Sequence, residues 1–387
     1  MQSSHAVTTH DSNSRRVAHT FGLLSGKYSN CGCSTLLGFE GRECGYRNTH
    51  PRKWPDTIAP MSRVALYFAS GESLYPGAAL LMFVAVTSPF RKQLWSLRVR
   101  NALAWIALAF IVMACPPFPF LVDLTFLAAF LLWFITSNRT SARRLKWGSS
   151  LVLTVLLFVL TAIEFSHRGM PKITSSASDH LVVIGDSISS GIDSRVQPWP
   201  LVLQQQCGVE VRNLSRPGAQ VSEGLSMAEG LTDNDHVVVI EIGGNDLLMG
   251  VSPNEYAKAL DALLSKVTAP SRTVLMFELP LLPNKIAYGQ IQRRLSAKYR
   301  VSLIPKRYFA EVIGDANGTT DGLHLSASGA QRMAAIVAGV LSPVLKSCQS
   351  PSNLQAGGPF FVGVFLPSYL SEAWAARHPS RAAAAFR

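Results

Sequence analysis

One short stretch decides the fold: Val182-Val183-Ile184-Gly185-Asp186-Ser187-Ile188. A run of apolar β-branched residues ends in a Gly-Asp-Ser turn, and a helix-like stretch follows. Buried parallel strands have this composition, and open α/β folds bind their ligands at the carboxyl edge of the sheet. The stretch therefore predicts a central strand that delivers Ser187 to that edge. Gly-Asp-Ser alone is also ordinary turn composition, so the function depends on the motifs that follow.

Short apolar strands alternate with amphipathic helices in the region that follows. Strands are predicted at His180–Ile184, Val209–Leu214, Val237–Ile242, Thr273–Glu278 and Val301–Ile304. Helices are predicted at Trp199–Gln206, Glu255–Val267, Ile286–Tyr299 and Ser326–Leu345. This alternation predicts the α/β class: a three-layer α/β/α sandwich with a parallel, flavodoxin-like sheet.

Four motifs lie at predicted strand ends or in the loops after them, which places them all at one edge of the sheet. They are Ser187 after the first strand, Gly218 after the second, Asn245 in Gly243-Gly244-Asn245-Asp246 after the third, and Asp321 with His324 before the last helix.

The chemistry of acyl transfer requires these residue types together. A serine hydroxyl is a weak nucleophile until a nearby histidine takes its proton. The histidine needs a carboxylate that fixes its tautomer and stabilises its cation. The oxyanion that forms needs donors already aimed at it, and the Ser187 N–H, the Gly218 N–H and the Asn245 amide are suitable groups.

The ordered set Gly-Asp-Ser, Gly, Gly-x-Asn-Asp and Asp-x-x-His resembles the SGNH hydrolase superfamily, the GDSL esterases and lipases. The resemblance covers residues from about 180 to 345 and implies the SGNH fold. It implies Ser187 as nucleophile, His324 as base and Asp321 as its acid partner, with an oxyanion hole from Ser187, Gly218 and Asn245. Ile188 replaces the usual leucine.

Each of these residues also has a structural interpretation. Asn245 could form an Asx turn, and Asp321 could cap the last helix. Asp186 and Asp246 are interpreted as ordering their turns, and His180 and His236 as structural residues at the far edge. The sequence contains no Gly-rich phosphate loop, no His-Glu-x-x-His and no Cys-x-x-Cys, so we expect no cofactor and no metal.

Composition separates the chain into two parts. Of the 387 residues, 48% are hydrophobic and only 16% are charged, and the net charge is +12. Between residues 171 and 347, however, 16 basic residues balance 16 acidic ones. The catalytic-looking part is therefore not a nucleic-acid binder by charge, and the excess belongs to membrane loops and tails.

Four apolar spans are each long enough to cross a bilayer: Val64–Ser88, Asn101–Phe118, Phe120–Thr136 and Ser149–Phe165. Basic residues follow the first and third spans, whereas the proline-rich turn after the second carries no charge. By the positive-inside rule, the basic loops are cytoplasmic and everything after Phe165 lies outside. The sequence thus predicts a multi-pass protein of the inner or cytoplasmic membrane.

Predicted domain boundaries follow from these patterns. Residues 1–60 are expected to be a disordered leader, and one hypothesis starts the protein at Met61, so that the leader is not translated. A four-helix transmembrane region (61–168) and a linker (169–179) precede the SGNH domain (180–347), and an unstructured tail (348–387) follows. Cys207 and Cys348 could form a disulfide in an oxidising compartment, with two separate thiols as the favoured alternative.

The sequence therefore predicts a membrane-tethered serine esterase of small acyl esters, such as acetylated sugars, lysophospholipids or short-chain esters. Its expected partners are the ester substrate and the lipid bilayer, with no nucleic acid. Two alternatives are an O-acyltransferase acting on envelope polymers with the same triad, and a non-catalytic membrane binding protein.

Overall fold

The computed structural model describes residues 63–90, 95–139, 142–173 and 180–345. The predicted leader at 1–60 and the predicted tail at 348–387 lie outside these residues, and the predicted linker is described only as far as residue 173.

Five helices precede the sheet. They are α1 (Arg63–Ala69), α2 (Leu74–Thr87), α3 (Leu97–Met113), α4 (Phe120–Asn138) and α5 (Arg143–Ser166). The first predicted span is broken in two, because α1 and α2 meet at an angle of 72°. Gly71 lies at the break with a φ of +83°, a conformation that glycine adopts without strain and that ends a right-handed helix.

Two of the described helices, α4 and α5, are long and apolar enough to cross a membrane. The bent α1–α2 pair would add a third span if its two helices cross together. Helix α3 has only 17 residues, with Arg98 and Arg100 in its first turn. Four spans, and the side of the membrane on which the chain lies, therefore remain predictions.

The sheet has five parallel strands, which confirms the predicted fold class. The strands are β1 (His180–Gly185), β2 (Glu210–Asn213), β3 (Val237–Glu241), β4 (Thr273–Phe277) and β5 (Ser302–Ile304). Their order is β2-β1-β3-β4-β5, the doubly wound order of flavodoxin-like folds. In this order the chain reverses direction across the sheet between β1 and β3, and ligands bind at such a switch point.

Eight α-helices of the described residues accompany the strands. They are α6 (Ser187–Ser190), α7 (Trp199–Cys207), α8 (Val221–Ala228), α9 (Gly244–Met249), α10 (Pro253–Val267), α11 (Ile286–Tyr299), α12 (Lys306–Gly314) and α13 (Ala327–Leu341). We call residues 180–345 the sheet domain. Helix α10 begins as its sequence predicts, with Pro253 in the first turn and a capping box between Ser252 and Glu255.

Each face of the sheet is covered by helices, because side chains along a strand point alternately to the two faces. Leu181 and Val183 of β1 belong to a core cluster that includes residues of α7 and α13. Val182 and Ile184 belong to the opposite cluster, with residues of α8, α10 and α11. Both faces of β1 are therefore dry, and its carboxyl end is fixed in place.

The N-terminal helices pack on the sheet domain at the carboxyl ends of β4 and β5. Arg293 of α11 donates to both carboxylate oxygens of Glu164 in α5, at 2.6 and 2.8 Å, and to Glu278 directly after β4, at 2.6 Å. Lys306, at the start of α12, donates through Nζ to the carbonyls of Ala114 and Cys115 at the end of α3. These bonds join the helical bundle, α2–α5, to the same edge that carries Ser187.

Cys207 at the end of α7 is disulfide-bonded, so two separate thiols, the favoured alternative, are wrong for this residue. The other described cysteine, Cys115, is a free buried thiol. The partner of Cys207 therefore lies outside the described residues, as does Cys348.

Candidate active site

Ser187 lies at the first position of α6, directly after β1. Asp186 caps this helix, because its Oδ1 accepts the N–H of Ile188 at 2.9 Å. Gly185 must lack a side chain, because a Cβ there would lie 2.6 Å from Ser189 Oγ and 2.8 Å from the carbonyl oxygen of Glu241. The tight turn holds Ser187 at the carboxyl edge of the sheet.

His324 and Asp321 form one unit in the loop before α13. The imidazole Nδ1 lies 2.6 Å from Asp321 Oδ2, and the backbone N–H of His324 donates to Asp321 Oδ1 at 2.8 Å. Burial acts to raise the pKa of Asp321, but the hydrogen bonds from His324 and the N–H of Leu323 outweigh it and lower the pKa. Asp321 is therefore held as a carboxylate that orients the imidazole.

Ser187 and His324, both buried, line the same cleft. The cleft walls are largely apolar beyond these two side chains. Its apolar lining comprises Ile188, Ile192, Val196, Pro198, Trp199, Leu325 and Ala330. The structure thus brings together the serine, the histidine and the aspartate predicted from the sequence, although they are far apart in the chain.

The three predicted oxyanion donors lie after three neighbouring strands. In the described part of the chain, neither the Ser187 N–H nor the Gly218 N–H donates to a protein acceptor. Gly218 has a φ of +76°, and no atom lies within 4 Å of where its Cβ would be, so substrate can approach its N–H. Asn245 Nδ2 donates to Ala219 O at 2.9 Å and to Asp186 Oδ2 at 3.2 Å. Its second, longer bond is the weaker one.

The region that holds these residues is similar in sequence to known acylhydrolases. The sequence profile of the GDSL-like lipase/acylhydrolase family matches residues 183–332. The esterase TesA of Pseudomonas aeruginosa is 31% identical over 186 residues, which are 44% of this chain and 91% of that esterase. The chain belongs to the GDSL-like lipase/acylhydrolase family.

A second enzyme and a solved structure are also similar to this chain. The thioesterase 1/protease 1/lysophospholipase L1 of Escherichia coli K12 is 30% identical over 149 residues, 36% of this chain and 71% of that enzyme. The crystal structure of TesA aligns with 43% of this chain and 99% of that chain, at 31% identity and a TM-score of 0.38. Family membership makes this chain an SGNH serine hydrolase that acts on ester bonds.

Sequence reasoning missed one buried network behind the serine of this GDSL hydrolase. Trp199 Nε1 donates to Ser189 Oγ at 3.0 Å, and Ser189 Oγ donates to Glu241 Oε2 at 2.7 Å. Glu241 is the only charged residue of β3 and comes directly before the Gly-Gly-Asn-Asp motif. A charged residue that ends an apolar strand was the signal that could have identified it.

Two carboxyl groups close to Ser187 have raised pKa values. Burial, together with the neighbouring Asp186, raises the pKa of Glu241 well above its ordinary value. Burial also raises the pKa of Asp186 to about 6, against the opposing effect of the Ile188 N–H. Burial therefore favours the neutral, hydrogen-bonded form of the Glu241 carboxyl group in the folded protein.

The structure shows where Asp246, His180 and His236 lie relative to the site. Asp246 accepts the N–H of Val221 at 3.0 Å, so it holds the start of α8 as well as its own turn. His180 pairs with Glu210 at 3.0 Å at the amino end of β1, and His236 precedes β3 at that same end. Both histidines lie at the opposite edge of the sheet from Ser187.

Replacing Glu241 by glutamine should change how stability depends on pH. Because the folded-state pKa of Glu241 lies above its unfolded value of 4.5, its stabilising contribution is complete below about pH 4.5 and is lost as the pH rises through the folded pKa. Glutamine keeps an oxygen that accepts from Ser189 and does not titrate. We expect thermal unfolding from pH 5 to 9 to show an advantage of Glu241→Gln that grows with pH.

The exposed Glu229 provides the matched control. Glu229→Gln should follow the wild-type pH dependence, since its side chain is in water in both states. If the melting temperatures of Glu241→Gln and the wild type fell in parallel from pH 5 to 9, Glu241 would be ionised in the folded protein and its neutral form would be refuted.

Proposed function

We propose that this chain is a membrane-tethered serine esterase that hydrolyses acyl esters through an acyl-Ser187 intermediate. Ser187 Oγ attacks the ester carbonyl while His324 takes its proton. The alcohol leaves with that proton, and a water molecule activated by His324 then releases the carboxylic acid and restores Ser187. Asp321 holds the imidazole in place and stabilises its cation.

Three donors would stabilise the negative oxygen of the tetrahedral intermediate. The N–H groups of Ser187 and Gly218 are free for this role in the described residues. Asn245 supplies the third donor by turning the hydrogen that makes the longer, 3.2 Å bond to Asp186. This hydrogen moves from Asp186 to the substrate oxygen as negative charge develops there. The new bond is therefore strongest in the transition state, where it assists the reaction.

One observation carries the proposal: Ser187 shares a cleft with His324, whose Nδ1 lies 2.6 Å from Asp321. A histidine that is hydrogen-bonded to a carboxylate and lies in the same cleft as a serine is the arrangement that acyl transfer requires. The apolar lining of the cleft suits the acyl side of an ester, and the open backbone at Gly218 leaves room for the alcohol side. Relatives named as an esterase and a thioesterase/lysophospholipase support the same reaction class.

A panel of acyl esters of rising chain length tests this function in the full-length protein, purified in detergent. We expect release of free acid from several of them, with a preference among chain lengths that the apolar cleft sets. Adding an excess of acceptor alcohol should leave free acid as the main product. Formation of a new ester at the expense of the acid would instead identify an acyltransferase, and no turnover of any ester would contradict the proposal.

Asn245→Ala should lower kcat by about 10²–10³-fold, because it removes one donor to the developing oxyanion. KM should change little, since the ground-state carbonyl carries less charge than the intermediate. Steady-state kinetics on a soluble ester measure both constants.

Asn213→Ala provides the comparison for Asn245→Ala. It removes another amide that donates to a backbone carbonyl near the site, that of Ser189, at 2.8 Å. We expect its kcat to stay within about threefold of the wild type. Equal kcat values for Asn245→Ala and the wild type would remove Asn245 from the oxyanion hole.

A further inference from the structure

Exposed apolar side chains begin within three residues of the point where the start of α4 contacts the sheet domain. Gln290 of α11 donates to the carbonyl of Phe118, just before α4 begins. Only two and three residues later, Phe120 and Leu121 are 73% and 72% exposed, although both are large and apolar. An apolar surface of this kind belongs in hydrocarbon rather than in water.

The end of α5 shows the same arrangement. Glu164 binds Arg293 of the sheet domain through two hydrogen bonds, and the next residue, Phe165, is 61% exposed. The apolar surface of the bundle therefore continues up to the sheet domain at two separate helices.

The edge of the sheet that faces the bundle is the catalytic edge. Glu278 directly follows β4 and accepts from Arg293, which also binds Glu164 of the bundle. Lys306 lies two residues after β5 and donates to the end of α3. Ser187 directly follows β1, which lies two strands away from β4 in the order β1-β3-β4. Neighbouring strands are about 4.8 Å apart, so the serine lies roughly 10 Å to the side of the bundle contacts.

Exposed apolar side chains continue along this edge. They lie in the segments after β1, β3 and β4 and form what we call the edge patch: Ile192, Leu248, Met249 and Leu282. Met249 is 67% exposed and is the most exposed large apolar side chain of the sheet domain. A group of exposed apolar side chains beside the site, on the edge of the sheet that also contacts the bundle, fits the surface of a bilayer.

We propose that the catalytic edge rests on the bilayer that the helical bundle enters, and that the site takes an amphiphilic acyl ester directly out of that bilayer. This inference rests on the proposed function, including the membrane tether. The edge patch enters the interfacial region, and the ester group of a lipid lies at the depth of the cleft mouth. The acyl group then needs no transfer through water to reach Ser187.

Nanodiscs test the proposal, because both faces of the bilayer are accessible in them. The substrate is a fluorogenic acyl ester attached to a dialkyl lipid that does not exchange between discs. It is placed either in the disc that holds the full-length protein or in separate, protein-free discs at the same total concentration. We expect hydrolysis in the shared disc to be at least about tenfold faster, because the local concentration is higher. Equal rates would overturn the proposal.

A water-soluble ester, p-nitrophenyl acetate, separates this inference from the proposed function. If the wild type hydrolyses neither it nor any ester of the chain-length panel, the proposed esterase function itself fails. If the wild type hydrolyses it but shows equal rates on lipid ester in shared and separate discs, only the membrane-facing orientation fails.

Charges in the edge patch provide a second test. The double variant Leu248→Glu/Met249→Glu should lower hydrolysis of the lipid ester in the shared disc by about fivefold or more and leave p-nitrophenyl acetate hydrolysis unchanged, because carboxylates resist insertion among lipids. Leu282→Glu, on a different segment, should act in the same direction. Leu225→Glu, an exposed leucine within α8, is the control and should change neither rate. Unchanged lipid-ester rates in both patch variants would contradict the proposal.

Discussion

Ser187→Ala should lower ester hydrolysis by at least about 10⁴-fold while leaving the fold intact. The substitution removes only the hydroxyl oxygen that we propose as the nucleophile, in a side chain whose Cβ remains in place at the start of α6. Because the Asp186 cap and the Ser189–Glu241 bond do not involve the Ser187 hydroxyl, the free energy of unfolding should change by less than about 0.5 kcal/mol. Initial rates on a soluble ester and thermal unfolding measure the two effects.

Two comparison variants sharpen this experiment. Ser190→Ala removes a hydroxyl from the same short helix, where it donates only to the carbonyl of Gly191, and should keep near-wild-type activity. His324→Ala should be nearly as inactive as Ser187→Ala, and the double variant should lose little more, because residues that act as one unit are not additive. Full additivity would show that the two residues do not work together.

Arg293→Met should destabilise the protein by about 3–5 kcal/mol, because it removes the guanidinium that pairs with two buried carboxylates. The Arg293 side chain is only 12% exposed, and it binds Glu164 of the bundle and Glu278 of the sheet domain at once. Burial acts to lower the pKa of Arg293, but the two carboxylates outweigh it and raise the pKa above the ordinary value. Thermal unfolding of the full-length protein in detergent measures the loss.

The cause can be separated from packing by neutralising the carboxylates. The triple variant Arg293→Met/Glu164→Gln/Glu278→Gln should recover a large part of the stability, because no unpaired charge remains. Arg294→Met, at the adjacent and exposed position, should stay within about 0.5 kcal/mol of the wild type. If the triple variant were as unstable as Arg293→Met, lost packing rather than unpaired charge would explain the effect.

All five strands could be predicted from the sequence, because each is a short, almost wholly apolar run next to a turn. Helices α8, α9 and α12 could not. Helix α8 contains Gly224 and two serines, which have poor helix propensity. It forms because Asp246 accepts the N–H at its start and because Gly224 packs close to Leu263. Both interactions come from distant parts of the chain.

Helix α12 was also missed, although Phe309 and Val312 have the three-residue spacing of a buried helix face. Its first residue, Lys306, donates to the end of α3, a contact that joins residues almost 200 positions apart. The docking of bundle and sheet domain depends on such pairs. No local pattern links Glu164 with Arg293, so the direction in which the catalytic edge faces could be inferred only from the structure.

More of the residues of the candidate site than of the contacts around it could be predicted from the sequence. Ser187, Gly218, Asn245, Asp321 and His324 could be named because parallel strands deliver their carboxyl ends to one edge. The state of each group could not. That Asn245 already donates to Asp186, and that burial raises the pKa of Glu241, both depend on contacts across neighbouring strands.

Labelling of the wild-type protein with a fluorophosphonate probe tests the central claim most directly. The probe phosphonylates a serine that a base has activated, with loss of fluoride, and peptide mass spectrometry locates the adduct. We expect one adduct, on Ser187. It should be absent from Ser187→Ala, and its formation should be strongly slowed in His324→Ala. A protein that hydrolyses esters but carries its adduct on another residue, with Ser187 unmodified, would contradict it.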